Sequence, residues 1–366
     1  MQHYFGIIAG FCLIALTLAS IPAQACTGMR LKAQDGSVVF ARTMEFGSDT
    51  NSDMLFVPRG QSWQSDMPKK AKGMAWKNDY AFIGTNGFGM DYLTIDGINE
   101  KHMYVGGFWF AGQAEYPEFQ PKLAKTSLNP ADFVAWVLGT CASLDDVRAK
   151  LAKIQIPAVY LEAMHQVPGV HWIIVEGTGK AMVVEPLKGK LVINDNPVGV
   201  FTNRPEFTWH QANLNNYINL HAANVPQAKL GQAELTAFGQ GSGMLGLPGD
   251  YTPPSRFVRA AFLLNSVHPA KDADGNITLA WNLINNFSIP KGAAREFDKD
   301  GKEHDDYTQW TVVYDLTRCG VTFRTYGNQD IRVVRMDKLP VNGDKKLIAP
   351  MWHTKAKYDD VSGLAK

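Results

Sequence analysis

Charge is missing from the start of this 366-residue chain: Met1 to Ala25 holds no Asp, Glu, Lys or Arg. Phe5 to Ser20 is mostly apolar, and Pro22-Ala23-Gln24-Ala25 closes the stretch with small residues. The pattern reads as a signal peptide over residues 1–25, cut before Cys26, and predicts a periplasmic or secreted protein. No later apolar run approaches the roughly 20 residues of a bilayer span, so no membrane span is expected. Clustered basic charge is lacking as well; 36 Lys+Arg against 35 Asp+Glu leave a formal net charge of +1, which excludes nucleic acid as a partner. Gly/Ser-rich and charged linkers are absent, so residues 26–366 are read as a single domain. Cysteine is scarce: Cys12 leaves with the leader, and the odd number remaining, Cys26, Cys141 and Cys319, argues against a disulfide framework. Cys141 and Cys319 either pair with each other or serve as buried small hydrophobes. The histidines lack metal-binding spacing, and the glycine run Gly241 to Gly246 lacks the strand and helix that a dinucleotide site requires. Neither a metal nor an organic cofactor is expected.

What is present alternates between strands and helices. Asp35-Gly36 predicts a hairpin between Thr27–Ala33 and Val38–Met44. Further strands are predicted at Tyr80–Gly84, Tyr92–Asp96 and Met103–Phe110, at His171–Glu176, Ala181–Pro186 and Lys190–Asn194, and at Thr308–Asp315, Gly320–Thr325 and Ile331–Met336. Helix starts are predicted at Asn129-Pro130, Ser143, Ser255 and Asn276. Blocks of strands separated by helix pairs predict layered sheets covered by helices.

A cut before Cys26 would leave a first residue with both a thiol and a free α-amine. A thiol is nucleophilic as its thiolate, which a cation or a base favours, and an α-amine with an ordinary pKa near 8 can take up the proton. If Asp35-Gly36 is a two-residue turn, counting back along the strands places Cys26 opposite Glu45 and Met29 opposite Arg42. Arg42 and Glu45 then project from opposite faces, so the strand must bulge or end if both are to reach Cys26.

Several segments carry a family resemblance together: Cys26-Thr27-Gly28-Met29-Arg30, Arg42-Thr43-Met44-Glu45-Phe46, Asp96 to Lys101 with Gly106 to Phe110, His171-Trp172, Thr202-Asn203-Arg204-Pro205, Leu247-Pro248-Gly249-Asp250 and Pro254 to Arg259. In order and spacing they resemble the choloylglycine hydrolase family, N-terminal-nucleophile cysteine amidases that include bile salt hydrolases and penicillin V acylases. The resemblance runs from Cys26 to about Gly327. It implies the α+β four-layer αββα sandwich, a small-molecule amide substrate, an acyl-thioester on Cys26 and a homotetramer. It implies that Arg42 favours the thiolate and that Glu45, where the family more often has Asp, holds the α-amine. It also gives Asn203 and the Trp109 backbone N–H the oxyanion, and Arg256 the support of the polar network. The Trp109 indole and Glu45 point first to penicillin V acylase-like specificity, with activity on N-acyl homoserine lactones beside it and bile salt hydrolysis as the alternative. A reading of another class is an envelope binding protein without catalysis, anchored by a lipid on Cys26.

Overall fold

The structure, a computed structural model, describes residues 25–298, 300–352, 354–360 and 362. The expected signal peptide, apart from Ala25, lies outside these residues. In chain order the first half holds β1 (Gly28–Lys32), β2 (Val38–Phe46), β3 (Met54–Val57), β4 (Ser62–Asp66), β5 (Lys72–Lys77), β6 (Phe82–Gly87), β7 (Met90–Asn99), β8 (Met103–Trp109), α1 (Phe133–Thr140) and α2 (Leu144–Leu151). Then come β9 (Val170–Glu176), β10 (Ala181–Leu187), β11 (Lys190–Asp195), β12 (Val200–Phe201), α3 (Phe207–Asn213), β13 (Ala228–Leu230) and β14 (Ala233–Leu235). The last part holds α4 (Pro253–Ser266), α5 (Ala273–Ile284), β15 (Arg295–Phe297), β16 (Glu303–Asp305), β17 (Tyr307–Asp315), β18 (Gly320–Thr325), β19 (Asn328–Arg335) and β20 (Leu347–Ala349).

Two sheets face each other. One runs β12-β1-β2-β17-β18-β19, the other β11-β10-β9-β8-β7-β6-β3-β20. Between them Phe40 stacks on Tyr104 with centroids 4.1 Å apart, and Tyr104 meets Tyr314 at 5.1 Å. Helices α4 and α5 cover the first sheet, with Phe257, Ala280 and Trp281 buried in its core; α1 and α2 cover the second, where Phe133, Trp136, Val147 and Trp172 pack. This is the expected αββα sandwich.

The β1–β2 hairpin differs from the expected one by a single residue. Ala33 pairs with Ser37, so the loop is Gln34-Asp35-Gly36, with Gly36 at φ +90° and the Ser37 N–H donated to Asp35 Oδ1 at 2.8 Å. Three-residue loops with a left-handed glycine at the third place are a common hairpin closure. The extra loop residue pairs Gly28 with Arg42 and Met29 with Ala41. Continuing that register sets Cys26 against Met44 rather than Glu45, the consequence of a one-residue slip.

Ser143 caps α2 as expected, accepting from the Asp146 N–H at 3.1 Å. Two other starts are corrected. Helix α4 begins at Pro253, where a proline needs no N–H partner, leaving Ser255 within its first turn. Helix α5 begins at Ala273, capped by Asp272, whose carboxylate accepts from the Gly275 N–H at 2.9 Å; Asn276 is buried inside it. Cys141 and Cys319 are buried and unpaired.

Candidate active site

Cys26 lies at the mouth of the sheet sandwich, 2 % exposed, just ahead of β1. Gly28 lets the chain pass close there: a Cβ at Gly28 would fall 2.6 Å from Phe40 and 2.9 Å from Phe108. Strand β2 runs alongside, and because side chains alternate along a strand, Arg42, Met44 and Phe46 share one face and Thr43 and Glu45 the other. The expected conflict between Arg42 and Glu45 therefore needs no bulge in β2. The two residues do stay on opposite faces, and Cys26, at the end of the neighbouring strand, has groups of both faces around it.

On the sulfur side, Arg42 Nη2 lies 3.7 Å from Cys26 Sγ and donates to the Gly107 carbonyl at 2.8 Å. Its Nη1 pairs with Asp96 at 3.2 Å, both side chains wholly buried. Asp96 also accepts from Thr85 and Tyr314 hydroxyls at 2.5 and 2.8 Å. Burial alone would weaken the hold of Arg42 on its proton, but Asp96 reverses this and raises the pKa above the ordinary guanidinium value. Burial pushes the Cys26 thiol up, against the pull of Arg42 in the other direction. Met44 Sδ stands 3.9 Å from the sulfur.

On the nitrogen side, the Cys26 N–H donates to Asn203 Oδ1 at 2.8 Å. Arg256, from α4, donates to the Cys26 carbonyl at 2.5 Å, to Thr27 Oγ1 at 2.8 Å and to Asn203 Oδ1 at 2.8 Å. Asn203 Nδ2 donates to the Trp109 carbonyl at 2.9 Å, so Asn203 ties Cys26, Arg256 and Trp109 together. The Glu45 oxygens accept instead from the Thr43 hydroxyl at 2.9 Å and from the Thr308 hydroxyl. Burial lifts the Glu45 carboxyl to about 8, against the nearby Arg256.

The Asn203 segment is held from beneath. His171 Nε2 meets the Thr202 carbonyl at 3.1 Å while its Nδ1 meets Glu185 at 3.0 Å, and His210 Nε2 meets the Asn203 carbonyl at 2.9 Å. Glu185 also accepts the Phe207 N–H, and burial lowers His210 to about 4, leaving a neutral ring that donates. His171, the second residue of β9, has both ring nitrogens satisfied by partners from distant segments rather than by its neighbours in sequence.

Six residues were singled out from sequence, namely Cys26, Arg42, Glu45, Trp109, Asn203 and Arg256, and all surround this point. Asp96, Thr43, Thr308, Asp306 and Glu185 were not: Asp96 and Thr43 stand inside motifs of the resemblance without a role of their own, Thr308 and Glu185 fall in expected strands, and Asp306 falls in neither.

Above the sulfur opens an apolar cavity lined by Cys26, Met44, Phe46, Phe108, Trp109 and Trp172, among others. Trp109 meets Phe46 edge-on at 6.0 Å. The bulged residue of β17, Gln309, braces the rim by bonding Thr50, Phe46 and Ser48. The Gly241–Gly246 loop is not among the lining residues. Among the described residues no group of three or more His, Cys, Asp or Glu is arranged to hold a metal, and no helix is long and apolar enough to cross a membrane. A buried sulfur beside a guanidinium, lining an apolar cavity, suits nucleophilic acyl transfer.

Comparison with known proteins agrees with this chemistry. A family model described as linear amide C–N hydrolases, choloylglycine hydrolase family, matches residues 26–349. A bile salt hydrolase/transferase of Clostridium perfringens is 34 % identical over 321 residues, 87 % of this chain and 95 % of that protein. A solved variant of the conjugated bile acid hydrolase from the same organism superposes with a TM-score of 0.80 at 32 % identity, covering 92 % of this chain and all of the other. A penicillin V acylase of Pectobacterium atrosepticum is 26 % identical over 355 residues, covering 91 % and 86 %. Similarity thus orders the two substrate readings opposite to the order drawn from Trp109 and Glu45, and favours the alternative.

Proposed function

Because the chain belongs to the choloylglycine hydrolase family of linear amide C–N hydrolases, we propose that it cleaves N-acyl amides of bulky apolar acids, conjugated bile salts first among them, through a thioester on Cys26. The observation that carries the acyl preference is the apolar cavity ending at the Cys26 sulfur. Its almost wholly apolar lining suits a large apolar acyl group, and the similarity to bile salt hydrolases supports a steroid one. The flat indole of Trp109 in the same wall favours aromatic acyl groups, which keeps penicillin V as a second substrate to test.

The leader, residues 1–25, is removed on export in this reading, and the match of the family model from residue 26 supports that boundary. The freed α-amine accepts the thiol proton; the thiolate, favoured by Arg42, attacks the amide carbon; the proton then passes to the departing amine and water hydrolyses the thioester. Asn203 Nδ2 carries two hydrogens and uses one on Trp109, leaving the other, with the Trp109 backbone N–H, for the oxyanion, where one donor is worth about 3 kcal/mol. Leu230, Leu235 and Phe238, exposed on and beside the β13–β14 hairpin, support a homo-oligomer, for which a tetramer is proposed.

Burial of Cys26 at the cavity floor speaks against a lipid on its sulfur, and intact mass of the exported chain tests this directly. The substrate reading is tested with glycocholate, taurocholate, penicillin V and a long-chain N-acyl homoserine lactone. Preferred turnover of the bile salts, abolished in Cys26→Ala, is the expected result; turnover of penicillin V alone would return the reading to the acylase.

A further inference from the structure

The nitrogen side of the site contains a carboxylate to which none of the roles above has been given. Asp306 immediately precedes β17, two residues before Thr308, so alternation turns both toward the same side, where Thr308 bonds Glu45. Asp306 is only 4 % exposed. Its backbone N–H is fixed on the Ala294 carbonyl at 2.9 Å. Its carboxyl faces the backbone N–H of Ala25, the residue that would be cut away, and its Oδ1 is buried with no hydrogen-bond partner.

Charge sharpens the question. Glu45 and Asp306 are two buried carboxyls with one buried guanidinium, Arg256, near both. Glu296 faces Asp306 from β15 and adds repulsion, Arg259 lies farther along α4, and Arg42 stands on the sulfur side already paired with Asp96. In a chain that continues through Ala25, the Cys26 nitrogen is a neutral amide. Buried charges without partners are costly, and the pair is accordingly held up, Glu45 to about 8 and Asp306 to about 7, chiefly by burial. Cutting before Cys26 would remove the Ala25 N–H from Asp306 and create an ammonium one residue on, at the Cys26 nitrogen now bonded to Asn203 Oδ1, supplying the missing positive charge.

We propose that Asp306 and Glu45 together form the receptor for the α-ammonium of processed Cys26, with Asp306 as a positioning residue that exchanges the Ala25 N–H it faces beforehand for the new nitrogen. The proposal rests on the reading that Cys26 begins the active chain. Asp306 acts through the amine and touches no substrate.

The test is the pH profile of kcat/KM for Asp306→Asn beside the parent enzyme, with intact mass and Edman sequencing of both. Removing a carboxylate makes the ammonium easier to deprotonate and the thiolate easier to form, so the acidic limb should move to lower pH by about one unit or more, as expected for loss of a neighbouring opposite charge. The rate of Cys26 alkylation by iodoacetamide against pH should shift in the same direction without any substrate present. If Asp306→Asn does not fold or process, Asp306→Ser expressed directly from Met-Cys26 replaces it. Unmoved profiles in a chain that begins at Cys26 overturn the role of Asp306. A parent enzyme that is active with another residue first overturns the underlying reading instead.

Discussion

The two faces of β2 treat the same cysteine differently. On the sulfur face each buried charge has an opposite: Arg42 pairs with Asp96, Asp96 is held by Thr85 and Tyr314, and Arg42 spends a second nitrogen on Gly107. On the nitrogen face Glu45 and Asp306 share the single guanidinium of Arg256. The first face is balanced in the uncut chain, whereas the second lacks one positive charge. Under the proposed mechanism, such a site carries the cation for its thiolate from the start and gains its base only when the chain is cut before Cys26.

The largest effect should come from breaking the balanced face. Asp96→Leu leaves Arg42 charged and buried without its partner, a change that typically costs about 3–5 kcal/mol. Urea denaturation should show that loss, and kcat/KM should fall with it because Arg42 is no longer steered toward Sγ. Arg42→Leu removes the cation beside the sulfur and should lower kcat/KM by about 10²–10³, the scale of losing one preorganised electrostatic group. Near-normal stability and turnover in both variants would mean that the pair is incidental to the thiol.

A middle-sized effect is expected one layer below the nitrogen face. His171→Phe preserves a ring against Phe110, which stacks on it at 4.1 Å, but strips partners from Glu185 and the Thr202 carbonyl. Leaving a buried polar group unsatisfied costs about 1–3 kcal/mol. If the histidine acts by positioning Asn203, kcat should fall while KM stays within about twofold, the pattern of an interaction made only in the transition state, and His171→Gln should restore part of the rate. Equal loss in the two variants, confined to stability, would assign His171 to the core alone.

Much of this contrast could be read from residue order, and the parts that could not have physical reasons. The strands Gly320–Thr325 and Met103–Trp109 match their expected spans closely because apolar alternation and turn residues agree there. Ser143 and Asp146 announced α2 because capping is a local interaction. The hairpin register failed by one residue, since Asp-Gly serves both two- and three-residue loops and only the Ala33–Ser37 pairing distinguishes them. The start of α5 was missed because Asp272 and Asn276 are both acceptable caps, and burial of Asn276 beneath the hairpin decides between them. Cys26, Arg42, Asn203 and Arg256 were recognisable as a spaced set. Asp306 was not: it sits in an acidic stretch with Glu303 and Asp305 that reads as solvated charge, and its burial arises from pairing far away in sequence.

The smallest effect is also the one that separates the faces most cleanly. Glu45 holds its proton up to about 8 in the folded uncut chain, against an ordinary 4.5, and Asp306 up to about 7 against 3.8. A group whose pKa is raised by folding gives stability that is fully present below the ordinary value and is lost as pH rises through the folded one. A chain that retains several residues before Ala25 should therefore lose thermal stability progressively between about pH 4 and pH 8. A chain beginning at Cys26 gains an ammonium beside both carboxyls, which lowers their pKa values and flattens that slope. The melting temperatures of the two chains should thus diverge toward alkaline pH, by about 2 °C for each kcal/mol of difference. The divergence should shrink in Asp306→Asn, which removes one of the two carboxylates, and should survive in Asp96→Leu, which disturbs only the opposite face. Parallel slopes in the cut and uncut chains would show that the nitrogen face is already neutral before processing, and the asymmetry between the faces would then carry no functional meaning.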